Sequence, residues 1–263
     1  MAEITILYDN HAEDGLRPGW GFSAFIHTEA ASVLFDAGAD RLVLEHNAKA
    51  MGVDLDVVAA FVLSHEHCDH RGAISSVIHK GLRVYVPASL KRRLAGLRKR
   101  GVELQAVKRP LDILPGVRSI GSMGRQIPEQ ALLIDGKDGP VLVTGCAHPG
   151  VVRIAQRATE LAGRPLSLVL GGFHLLRKKE NEVHRVVEEL QKLKIDRVAP
   201  LLGRHVAGGH AAPPAGIDEV VHAEALDVEI LDELKHAGKV GIVVGVERES
   251  NAGLDARFMA MAN

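Results

Sequence analysis

AAFVLSHEHCDHRG, residues 59–72, sets an apolar five-residue run, 59–63, directly against four ligand-type side chains within six positions: His65, His67, Asp69 and His70. A run of that length without a polar residue reads as a strand buried on both faces. The spacing His-x-His-x-Asp-His that follows has a geometric meaning. In extended backbone, residues i and i+2 project to one side, so His65 and His67 can meet one cation. Asp69 and His70, as the chain turns, then face a second, and one short loop serves two metals.

Outward from this junction, short β-branched runs alternate with amphipathic helical stretches, the pattern of a layered α/β protein. Upstream, 4–7, 22–26 and 32–36 read as strands, and GADRLVLEHNAKAMG as a helix closed by Gly52. Downstream, 73–80 reads as helix, 83–86 as strand, and 89–100 as a basic helix capped by Gly101. Strands at 131–135 and 141–144 flank GKDG, a hairpin signal. Helices are expected at 150–161 and 180–193, with strands at 166–170 and 197–199. LLGRHVAGGHAAPPAGI then carries four Gly and two Pro, which makes about 200–217 an irregular loop. A helix at 225–236 and a strand at 240–246 complete the reading. No long linker interrupts the chain, so residues 1–263 are expected to form one domain.

Composition narrows the function. Hydrophobic residues make up 46% of the 263, enough for a buried core, which argues against disorder. Lys and Arg number 32 against 33 Asp and Glu, so net charge exerts no general pull toward nucleic acid or an anionic membrane. The first residues, MAEITILYDNHAEDG, carry acids where a secretion signal needs a basic segment, and no apolar run is long enough to span a bilayer; a cytoplasmic protein is expected. Two cysteines, Cys68 and Cys146, are too few for a disulfide framework and both stand among histidines. Histidine is the unusual count, 14 in all, and it is the most versatile metal ligand and proton carrier near neutral pH.

The residues 65–70 match without a gap the motif of the metallo-β-lactamase superfamily, which the chain resembles over about 4–205. LFDAG, LSHEHCDHRGAI, TGCAHPG, GGFHL, the opening YDN, Asn47–Ala48 and IPEQALLI resemble the subgroup that includes a dihydropterin-condensing synthase of methanopterin biosynthesis. The resemblance implies a four-layer αββα sandwich with one or two divalent ions at an edge between the sheets. A water deprotonated there would attack an ester, amide or phosphoester. Zinc is the default for such a ligand set, and a site mixing imidazole with carboxylate also accepts iron or manganese.

More distant residues complete the expected site. TGCAHPGVV follows an apolar strand and opens a helix, which makes His148 the best third ligand. Cys146 stands where many superfamily members carry a bridging Asp and some a Cys, as ligand or as a small buried thiol. The superfamily's usual histidine ahead of this strand is missing from GRQIPEQ, so His148 or Glu129 takes its place, or one ion is held more weakly. Asp69 is a ligand or, with one ion, a general base. His174, after a buried strand and a Gly-Gly turn, is expected to contact substrate or move a proton. In the subgroup the last ligand lies in a Pro-x-His-Cys-Thr-Gly segment; the nearest match is His205, with His210 as the alternative. The resemblance places Asp9, Asn10 and Asn47 near the cleft. Gly171 and Gly172, with the Gly145–Gly150 loop, could admit a phosphate.

Together these point to a metal-dependent enzyme acting on a small phosphorylated or pterin-like metabolite, by hydrolysis or by transfer with pyrophosphate departure; β-lactam hydrolysis is not expected. A small anionic substrate is the expected partner, neither membrane nor nucleic acid is, and homo-oligomerisation stays open. Two other classes compete. A non-catalytic metal-binding or sensing protein is supported by the altered C-terminal histidine segment. A nuclease would need KRRLAGLRKR, residues 91–100, to border the cleft; on a helix of its own that stretch reads as a solvated face.

Overall fold

The computed structural model describes residues 2–175 and 178–201, together with strand residues 241–242, 246–247 and 257–258. His205, His210, the helix expected at 225–236, nearly all of the irregular 200–217 stretch and most of the 240–246 strand lie outside the described residues.

Two mixed sheets carry the fold. The first holds β1 (Glu3–Tyr8), β2 (Ser23–His27), β3 (Ser32–Phe35), β4 (Val58–Val62), β5 (Arg83–Pro87) and β6 (Glu103–Val107) in sequence order. Its pairings are antiparallel from β1 to β3 and parallel from β3 to β6. The second holds β7 (Leu111–Leu114), β8 (Val117–Ser119), β9 (Leu132–Asp135), β10 (Pro140–Thr144), β11 (Leu168–Gly171), β12 (Arg197–Pro200) and β13 (Gly241–Ile242). It too starts antiparallel, through β10, and ends parallel.

Successive strand residues point to opposite faces, and the burial records where each face goes. In β3, Val33 and Phe35 join the core between the sheets, while Leu34 faces outward beneath α1 (Arg41–Ala50) with Leu44 and Ala48. In β9, Leu132 and Ile134 enter the central core and Leu133 the outer one, which α3 (Val151–Ala162) and α4 (Glu180–Lys192) cover through Ile154, Ala155, Val183 and Leu190. Strands apolar on both faces therefore require two sheets and two outer helical layers, the αββα order the sequence implied.

Some expectations fail for identifiable reasons. Residues 73–80 form only a 3-10 turn at Ile74–Ser76 rather than a helix. The basic stretch is not a continuous helix either; it folds as 3-10 turns at Ala88–Leu90 and Ala95–Arg100, closed by Gly101 at φ +82°. Six like charges with no acid to offset them, and a glycine at 96, deny an α-helix its side-chain support. Strands β6, β7 and β8 were not expected, because their exposed faces carry charge and KRP and LPG interrupt the apolar pattern.

Candidate metal centre

β4 ends at Val62, and its continuation Leu63-Ser64 delivers His65 to the edge between the sheets. The chain then turns through a single-turn helix, α2 (Cys68–Arg71), which places Asp69 and His70 beside it. The motif's own backbone is fastened to the first sheet: Phe22 N donates to Asp69 O (3.1 Å) and Ala37 N to His70 O (2.8 Å). Gly21 permits this closeness, since a Cβ there would lie 2.0 Å from Asp69 O. His65, Asp69 and His70 are fully buried, and His67 is half-buried.

Behind the histidines lies Asp36, which follows β3 and is also fully buried. Its Oδ2 meets His70 Nδ1 at 2.6 Å and accepts from Ser64 Oγ at 2.6 Å, and Ser64 Oγ in turn meets His65 Nδ1 at 2.8 Å. Ser64 N donates to Oδ1 at 2.6 Å. The Nδ1 atoms of His65 and His70 are thus engaged from behind, leaving Nε2 of each to face the cleft, the orientation that outer partners impose on metal-binding imidazoles.

The second half of the site comes from the loop after β10. Cys146 Sγ lies 3.0 Å from His70 Nε2, and His148 Nε2 lies 3.3 Å from His65 Nε2. Two donor groups result, each with ligand atoms within 4.8 Å of one another: His65, His70 and Cys146, and His65, His67 and His148. Three further buried atoms have no hydrogen-bond partner: both oxygens of Asp69 and Nδ1 of His67. Asp69 Oδ2 lies 3.3 Å from His70 Nε2. Imidazoles, a thiol and an unsatisfied carboxylate converging in one buried place are a donor set that fits a divalent cation.

The electrostatics follow from burial and crowding. Burial and the neighbouring histidines hold His65 well below the ordinary imidazole range, and the same causes lower His148 to about 3. Burial also lowers His67, with Asp69 opposing it. His70 goes the other way: burial disfavours its charge, but Cys146, Asp69 and Asp36 outweigh that and hold it well above its usual value. Burial pushes the Cys146 thiol up to about 12, against the pull of His70.

The remaining candidates are placed as follows. His174 is exposed, at φ +54°, with its ring centroid 4.5 Å from that of His148; it belongs to neither donor group. Glu129 is buried, and its oxygens accept from Ala147 N and His148 N. Asn47 spends its side chain on backbone, donating to Leu7 O and Arg17 O and accepting from Arg17 N. Asn10 Oδ1 accepts from Gly21 N, and Asp9 O from Gly19 N, so these residues shape the 9–21 loop that lies on the motif. Gly171 and Gly172 are buried against β10, where a Cβ on Gly171 would sit 2.1 Å from Thr144 O and Gly172 N donates to Gly145 O. Close strand packing thus accounts for these two glycines. Within the basic stretch, Arg93 forms an ion pair with Glu66, between the first two motif histidines, while Arg98 turns to Leu104 O on β6.

No family model matches the chain. Among solved structures, it superposes on the crystal structure of Tm1679, a metal-dependent hydrolase of the beta-lactamase superfamily, with TM-score 0.63 and 24% identity, covering 75% of this chain and 86% of that one. The metallo-beta-lactamase fold protein YhfI from Bacillus subtilis gives TM-score 0.57 at 15% identity, over 77% of this chain and 86% of that one. The chain has the metallo-β-lactamase fold. In sequence it is 27% identical over 218 residues to the uncharacterized protein MJ0448 of Methanocaldococcus jannaschii, covering 70% of this chain and 84% of the relative. It is also 22% identical over 236 residues to that organism's 7,8-dihydropterin-6-methyl-4-(beta-D-ribofuranosyl)-aminobenzene-5'-phosphate synthase, covering 69% and 80%. In this metallo-β-lactamase fold the donor groups sit at the carboxyl ends of parallel strands, where ligand sites of α/β sheets gather.

Proposed function

We propose that this chain is a metal-dependent enzyme that holds two divalent ions, zinc by default and iron or manganese as alternatives, and acts on a small phosphorylated or pterin-like metabolite. The observation that carries the reading is the pair of three-donor groups sharing His65, with the unsatisfied Asp69 carboxylate beside His70. His65, His67 and His148 would hold one ion, and Asp69, His70 and Cys146 the other, with His205 or His210 as a further ligand. A divalent ion bound there supplies Lewis acidity, which lowers the pKa of a water and steadies charge on a departing phosphate or pyrophosphate.

The chain's own residues do the rest. Asp36 and Ser64 keep the histidine Nε2 atoms turned to the cleft. His174, beside His148 but outside both donor groups, is positioned to carry a proton to or from the reacting group. Its left-handed backbone is a conformation a β-carbon-bearing residue adopts at a cost, and such outliers gather at functional sites; Ala147, at φ +62°, is another, on the loop after the neighbouring strand β10. Arg93 on Glu66, with Arg71 Nε donating to Glu66 O, sets cations at the motif's rim and favours an anionic substrate.

That same ion pair gives a second reading its support, a phosphodiester substrate in a nucleic acid, since the basic stretch does reach the motif. One experiment separates the two. Chelator-treated protein, reloaded in turn with zinc, manganese and ferrous iron, is assayed on phosphomonoesters, a dihydropterin pyrophosphate with an arylamine acceptor, and single-stranded RNA. Metal-restored turnover of a small substrate supports the proposal, turnover of RNA alone moves it to the nuclease, and no turnover with any metal contradicts both.

A further inference from the structure

Residues 129 and 130 lie between the two halves of the centre and touch both. Glu129 is 1% exposed, and its carboxylate accepts the backbone N–H of Ala147 at 2.9 Å and of His148 at 2.8 Å. Ala147 is left-handed, at φ +62°, in the loop that presents these two successive N–H groups to one acceptor. Such concavities of backbone N–H groups ordinarily collect an anion from solution. Here the acceptor is built into the chain.

The next residue faces the opposite way. Gln130, also 1% exposed, donates from its backbone N to Ser64 O (2.9 Å) and from Nε2 to Leu63 O (2.9 Å) and Tyr85 O (3.3 Å), while its Oε1 accepts from Ser119 Oγ (2.7 Å). One dipeptide therefore fastens the backbone entering His65, from the first sheet, to the backbone carrying Cys146 and His148, from the second. Gly145 shows how tightly the loop is pressed against this brace: a Cβ there would lie 2.3 Å from Ser64 Oγ and 2.9 Å from Glu129 Oε1.

We infer that Glu129 is a positioning residue, not a ligand: by accepting the backbone N–H groups of Ala147 and His148 it aims His148 at His65, and so completes the His65, His67 and His148 group. The inference rests on the proposed metal centre. It follows that the two groups depend on Glu129 unequally. His148 is held to the rest of the site through this carboxylate and its ring contacts, whereas Cys146 is also buried in the central core and meets His70 directly.

The test is cobalt(II) titration of the full chain and of Glu129→Ala and Glu129→Gln, read by absorption. Thiolate-to-cobalt charge transfer in the near ultraviolet reports the Cys146-bound ion, and cobalt that adds visible d–d absorption without adding to the charge-transfer band reports the imidazole group. Glu129→Ala is expected to weaken the imidazole-bound ion about 10- to 100-fold, the usual effect of losing an outer partner, while keeping the thiolate band. Glu129→Gln, which retains one carbonyl acceptor, is expected to fall between this and the parent. Parent affinity for both ions in Glu129→Ala, or loss of both ions from a protein that still melts cooperatively, overturns the inference. If the alanine variant does not fold, the glutamine variant decides: a weakened imidazole ion supports the inference and parent affinity overturns it. A parent chain that takes up no cobalt at all overturns the metal centre itself, and the inference with it.

Discussion

Asp36 is one carboxylate serving two donor groups, through His70 directly and through Ser64 to His65. Burial raises its pKa, while His70 and Ser64 pull it back, so its charge depends on keeping both partners. Asp36→Asn preserves its volume but offers an N–H donor to atoms that need an acceptor. We expect it to lower affinity for both ions by about 10- to 100-fold, measured by competition with a chromophoric chelator. The two ions should also differ in their response to pH. His65, His67 and His148 are held below the ordinary imidazole range and are neutral near pH 7, so filling their group releases few protons and its affinity is nearly flat from pH 6 to 8. Cys146, with its thiol pushed up to about 12, must lose a proton to ligate, as must the raised His70; affinity there should climb by about tenfold or more per pH unit over the same range. Calorimetry in buffers of different ionisation enthalpy counts the released protons; equal counts for both ions would contradict the assignment. The histidines of 65–70 and His148 were legible because ligand chemistry and spacing coincide. Asp36, Ser64 and Gln130 were not, because a lone polar residue at a strand end looks the same whether it closes a turn or braces a ligand on a neighbouring strand or the facing sheet.

The loops beyond the strand ends, more than the strands themselves, determine the chemistry. The basic stretch shows how an element changes meaning with its conformation. Read as an α-helix it presents a solvated cationic face; folded as 3-10 turns it sends Arg93 to Glu66 and Arg98 back to β6. Arg93→Glu is therefore expected to raise KM for an anionic substrate several-fold with little change in kcat, and to leave metal content unaltered. The ion pair itself is exposed, so the thermal midpoint should hardly move, in line with the ~0–1 kcal/mol of a surface pair. A drop in kcat with unchanged KM would place Arg93 in another role. Strand elements apolar on both faces, such as β4 and β10, announced themselves in the sequence. Strands β6 to β8 did not, because β6 and β7 are edge strands, their charges face water, and the neighbouring prolines mask the period of two.

At the scale of the molecule, each sheet sends a ligand loop from the end of an inner strand, β4 in one and β10 in the other, and the centre exists only where these two strand ends meet. That architecture was implied by the motif's resemblance and by the alternation of apolar strands and helices, since strands buried on both faces need helices outside and a second sheet between them. The junction of the halves was not legible: the Glu129–Gln130 brace and the Asp36 bridge join residues 28 to 67 positions apart, a distance that no local pattern spans. The most direct test of the account is metal content per chain, by elemental analysis of protein purified without chelator, for the parent, His67→Ala and Cys146→Ala. About two equivalents in the parent, falling to about one in each variant, is the predicted result for a two-ion centre with these ligand groups. One equivalent or none in the parent, unchanged by both substitutions, would contradict it.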